Sequence, residues 1–186
     1  MRAAPWLGWA ILLCATGPAA AQGARQALRI APAKLYPEIV RMAEQSEWAK
    51  LDRATEILAP LLTEIDAAGL GTPGQLLRAQ VMARNGPAVI QALEQLAVAG
   101  VADLIRQARS EADAAARREL VRAGFSEFLT VRPILPSTQF RLGQEIELEF
   151  RTLHALAGIP GDQFATRTSH LLALLQRVSS GGDRPR

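Results

Sequence analysis

His154 and His170 are the only histidines in the 186-residue chain, and Met42 and Met82 are the only methionines after the first residue. An imidazole nitrogen facing a thioether sulfur is one way a helical bundle holds haem without covalent links. These four residues are therefore the candidate cofactor ligands. Glu147, Arg151 and His154 recur at steps of four and three, which places them on one helical face. A carboxylate and an imidazole so spaced could hold a metal or move a proton, so Glu147 and His154 are the candidate metal ligands. The same spacing also describes a solvated Glu–Arg pair beside a histidine, worth a few tenths of a kcal/mol. That plainer reading is preferred, as is a core-filling role for the methionines. Glu145 and Glu149 lie one turn apart and read as an exposed, solvated face rather than an acid–base pair.

Other chemistry lacks its motif. There is no H-E-x-x-H, no Glu-x-x-His and no glycine-rich phosphate loop. Ser46, Ser110, Ser137, Ser169, Ser179 and Ser180 read as caps and tail, and no G-x-S-x-G elbow presents a nucleophile. Cys14 is the single cysteine, so C-x-x-C-H haem attachment and disulfides are excluded.

Cys14 lies within "WLGWAILLCA", which follows Arg2 and precedes "TGPAAAQ". A basic start, a short apolar run and small residues make the layout of a secretory signal peptide. Ala19 and Ala21 fit the shallow peptidase pockets, so cleavage is expected after Ala21, giving residues 1–21 as signal peptide and a periplasmic product. A lipid-modified cysteine is disfavoured, because Leu13 stands where a small residue is needed. The run is also shorter than the ~20 apolar residues of a membrane span. Elsewhere charges are expected to interrupt every apolar run, so no further span is expected.

After cleavage roughly 165 residues remain, enough for one domain with its own core. Basic residues fall from 21 to 20 against 18 acidic, a net charge near +2. That is too little to indicate nucleic acid or an anionic membrane as partner.

The remaining pattern is helical. Residues 22–34 read as a loose arm, and residues 35–178 as the helical domain. Pro37 falls in a first turn. Trp48, Leu51, Thr55, Leu58, Leu62 and Ile65 form one apolar stripe, with Ser46 as cap, Gly69 as stop and Pro60 as a bend. Thr72, Pro73 and Gln75 resemble a capping box. Ile90, Leu93, Ala97, Val101, Leu104 and Ala108 form another stripe. "RPILPST" is expected to be a loop. Residues 138–157 alternate like a strand around Glu145–Phe150, yet Ile146, Phe150, Leu153 and Ala157 keep helical spacing, and helix is preferred. Asp162 is expected to cap a last helix, and residues 179–186 to be a disordered tail.

The segment "LLRAQVMARNGPAVIQALEQL" resembles a tetratricopeptide-type helical hairpin, with Ala79 and Ala83 before Gly86 at the turn, then Ala92 and Leu93. It covers roughly one 34-residue repeat length, and no second clear copy is legible. The expected fold is all-α, a bundle or short solenoid of about six helices. The expected function is a non-enzymatic periplasmic protein that binds another envelope protein as an accessory factor. A small-ligand, metal or haem carrier using the bundle interior is the alternative, and an unfamiliar catalytic site stays open.

Overall fold

The computed structural model describes residues 35–69, 71–159 and 161–180. Among them are seven α-helices and no strand. They are α1 (Tyr36–Glu44), α2 (Trp48–Ala67), α3 (Pro73–Met82), α4 (Gly86–Ser110), α5 (Ala114–Val131), α6 (Phe140–Leu156) and α7 (Asp162–Ser179). The expected all-α class is the observed one. The expected leader and arm lie outside the described residues, as do residues 181–186. Ser179 and Ser180, read as tail, are the last residue of α7 and its C-cap.

Two short-long hairpins open the fold, and their turns share one design. At the end of α1, Glu47 donates its N–H to the Met42 carbonyl (2.9 Å) and Ser46 to Ala43 (3.3 Å). At the end of α3, Asn85 donates to Gln80 (3.2 Å) and Arg84 to Val81 (3.0 Å). This is the Schellman pattern, in which the residue after the helix turns left-handed to satisfy the last carbonyls. Ser46 (φ 57°) and Arg84 (φ 52°) occupy that position without being glycine. Ser46 therefore ends α1 and does not cap α2, correcting the sequence expectation. The hairpin legible once in the sequence occurs twice in the structure.

Two further caps differ from expectation. Thr72 stands at the N-cap of α3 but makes no capping hydrogen bond. Asp66 of α2 does that work, accepting from the N–H groups of Gly74 (2.8 Å) and Gln75 (3.0 Å). Asp162 is the first residue of α7 rather than its cap, a position held by Gly161. The expected loop at "RPILPST" contains two 3₁₀ turns, Arg132–Ile134 and Ser137–Gln139. Helix α2 continues through Pro60, as its stripe requires.

Helix α4 is the axis of the molecule, packed against α1, α2, α3, α5 and α7. Its residues up to Ala97 join α1–α3 in one apolar core with Tyr36, Leu51, Leu58 and Leu62. Val98, Val101, Leu104, Ile105 and Ala108 join α5–α7 in a second core with Phe128, Phe150, Leu153 and Leu171. The predicted stripe on α4 is buried or partly buried, and so are Val89, Ala92, Leu96, Val98 and Ile105 from other faces. A helix enclosed from several sides must be apolar nearly all round. Its most apolar window is long and hydrophobic enough to cross a membrane by length and composition, with mean hydropathy 1.5, but 67% of that window is buried within the fold. Glu94 and Asp103 interrupt its apolar runs, as expected, yet the window still reaches that length and hydropathy, which the expectation of no further span did not foresee.

Arg117 fastens the far end of the second core. Its guanidinium donates to the Glu111 carbonyl (2.8 Å) after α4 and to Ala157 (3.4 Å) after α6. It lies 5.1 Å from the ring centroid of Phe164 in α7. One cation thus answers exposed carbonyls at two helix ends and stacks on a third helix.

Candidate functional site

The residues that could hold a cofactor are dispersed. Met42 is buried (7% exposed) in the first core, whereas Met82 is 77% exposed. His154 is exposed near the end of α6, and His170 is exposed on α7. Glu147 is ion-paired with Arg132 of the first 3₁₀ turn, rather than with Arg151 of its own helix. No group of three or more His, Cys, Asp or Glu side chains converges as a metal cage among the described residues.

His170 does have a charged neighbour. Its Nδ1 lies 3.2 Å from Oε1 of Glu149, and the same oxygen accepts from Arg167 Nη1 at 2.9 Å. Glu149 is buried (7% exposed), which corrects its assignment to a solvated face. A carboxylate can be buried only if cations and donors replace water around it. Here α7 supplies them at positions 167 and 170, one turn-spacing apart on the face that meets α6. The cluster locks two helices together. It lacks a positioned nucleophile, since the Ser169 hydroxyl donates to the Ala165 carbonyl at 3.0 Å.

A broad concavity lies elsewhere. A trough of about 920 Å³ runs over α4 between the start of α3 and α7. Its floor is a single stripe of α4: Gln95, Val98, Ala99, Ala102, Arg106 and Arg109. Steps of three and four carry this stripe over about 21 Å at 1.5 Å per residue. Pro73 and Leu76 form one wall, and Leu172, Ala173 and Gln176 form the other. The α3 wall is held in place by Asp66 through the two capping bonds. Small side chains at Ala99, Ala102 and Ala173 leave the room.

The floor changes character along its length. It is polar at Gln95, apolar through Ala102 and cationic at Arg106 and Arg109. Among the described residues, no acidic side chain lines the trough. Among the described residues, neither arginine side chain takes part in an ion pair or side-chain hydrogen bond. Both are exposed. The arrangement can therefore bury apolar surface in the middle and meet negative charge at one end.

Sequence reasoning missed this site because its floor falls outside the one stripe read on this helix. The residues 95, 98, 99 and 102 lie outside the predicted stripe, between α3 and α7, and the small ones among them looked like ordinary alanine-rich helix. The one available signal was the excess of apolar residues outside the predicted stripe. Compared with known proteins, the chain matches no family model, no curated protein and no solved structure.

Proposed function

We propose that the protein is an exported, non-catalytic helical protein of the periplasm that serves another envelope protein as a binding or accessory factor. The trough on α4 is the seat for that partner. The observation that carries this reading is the trough itself: about 920 Å³, apolar at its centre, polar at its rim and open along a helix. Apolar concavities with few polar groups are where proteins take ligands, and a groove along a helix is a recurrent seat for a partner helix. Export rests on the leader pattern in residues 1–21. The carrier alternative needs His154, His170, Met42 or Met82 to converge on one ligand, and their separate placements favour the partner reading.

The test is site-specific photo-crosslinking in the native host. A crosslinking residue at Ala173, on the trough wall, is compared with one at Glu145, exposed on α6. The expected result is a discrete adduct from Ala173 that Glu145 does not give, on a chain whose mass begins at Gln22. Equal adducts from both positions, or none, would refute the trough as a seat. A mass retaining residues 1–21 would refute cleavage.

A further inference from the structure

Resting on the trough as the partner's seat, we infer that its occupant is an acidic amphipathic helix of the partner protein, apolar along one stripe and carrying carboxylates toward the end over Arg106 and Arg109. Three observations point to this occupant. The first is charge. Arg106 and Arg109 are the only charged residues lining the trough among the described residues, and no lining carboxylate offsets them. Two adjacent cations with no carboxylate lining the trough beside them attract an anionic partner and repel a cationic one, which sets specificity and on-rate more than raw affinity.

The second is shape. The floor repeats at helical spacing for about 21 Å, the length of a helix of ~14 residues. Ala99 and Ala102 on the floor and Ala173 on the wall are small, so a partner helix can approach the α4 surface closely. Leucine-sized side chains from an i, i+3, i+4, i+7 stripe fit beside them against Leu76 and Leu172.

The third concerns the chain's own remaining segments, which have the wrong sign. Residues 22–34 carry Arg25, Arg29 and Lys34 with no acidic residue, and residues 181–186 carry Arg184 and Arg186 against Asp183. Neither complements the arginine end.

The experiment uses the purified full mature chain and two fluorescent helical peptides of about 15 residues, a length of ~22 Å. Both share one leucine–alanine stripe. One has glutamates flanking the stripe at one end, and the other has lysines at the same positions. Binding is read by anisotropy at low salt. The glutamate peptide is expected to bind about fivefold tighter or better, the scale of two partly exposed ion pairs, and its advantage is expected to shrink as salt rises. The double variant R106E/R109E, at two exposed positions that leave both cores untouched, is expected to reverse the preference. Ala173→Trp, which fills the trough from its exposed wall, is expected to weaken both peptides.

Equal affinity for the two peptides, or a glutamate preference unchanged in R106E/R109E, would overturn the acidic-helix assignment. If Ala173→Trp still weakens binding in that case, the trough stands as a seat and only its charge selection fails. Binding of neither peptide overturns the helix as occupant, and the crosslinking comparison then judges the seat alone. Self-association that competes with the peptides and is abolished by Ala173→Trp would assign the trough to a second copy of this chain instead.

Discussion

Asp66 reaches from α2 to the exposed N–H groups of α3, and the carboxylate also faces the positive end of that helix dipole. Removing it leaves two donors without their protein acceptor. Asp66→Ala is expected to destabilise the fold by about 1–2 kcal/mol, the cost of losing a strong N-cap, read as a lower urea midpoint with unchanged slope. Thr72→Ala, at the position the sequence nominates, is expected to change the midpoint far less. Gly86 makes a different point. A Cβ there would stand 2.8 Å from the Ala43 backbone carbonyl oxygen, because α4 begins against the end of α1. Gly86→Ala would ordinarily favour a helix, but overpacking against backbone reverses the sign, and a loss of about 1–3 kcal/mol is expected. Glu47 is a residue whose charge state is set locally. Chiefly the hydrogen bond from Lys50, aided by the charges of Lys50 and Arg41 and opposed by desolvation, holds its carboxyl below the ordinary 4.5. A lowered folded value means its stabilising contribution is complete above the unfolded pKa and is lost as pH falls through the folded one. In an NMR titration, the Glu47 carboxylate is expected to have its midpoint below 4.5, and Lys50→Ala to move it upward.

At the scale of elements, α2 and α6 show how far periodicity reads. The α2 stripe runs past Pro60, and the helix does too, although proline supplies no N–H to the carbonyl four residues back. Pro60 is exposed, so nothing packed against it compensates. Pro60→Ala is expected to stabilise the protein by about 2 kcal/mol, the helix-interior proline penalty less the unfolded-state entropy regained; a thermal melt showing no gain would mean the ring is needed where it is. In α6, strict alternation around Glu145–Phe150 competed with helical spacing. The helix won for a reason visible in the sequence: a strand must pair its backbone with another strand, and no second strand pattern exists. What spacing did not disclose is that Glu149 turns inward. Its two partners, Arg167 and His170, lie eighteen and twenty-one residues away on α7, and a pairing across two helices leaves no local signature.

For the whole molecule, the consequence of α4 is cooperativity. Both cores are built on this one helix, so neither can open without exposing apolar surface of the other. Trp48 packs against the first core and is the only tryptophan outside the first 21 residues. Leu153 lies fully buried in the second. Leu153→Ala is expected to cost about 2–5 kcal/mol. The loss is expected to move the Trp48 fluorescence transition as far as the circular dichroism transition, the signature of one cooperative unit. A Trp48 transition left in place while ellipticity shifts would show two independently stable halves.

By itself the sequence determined the all-α class, the approximate extents of the helices, the leader pattern and the helical hairpin at residues 76–96. Those properties are local: periodicity, turn residues and composition act within a few residues of where they are read. Tertiary structure alone decided that α4 is enclosed by five helices, that Asp66 rather than Thr72 caps α3, and that Glu149 is buried. It also decided that Arg106 and Arg109 end an apolar trough. Each of these depends on which distant segment comes to lie alongside, and that is fixed by how the helices share two cores rather than by any spacing along the chain.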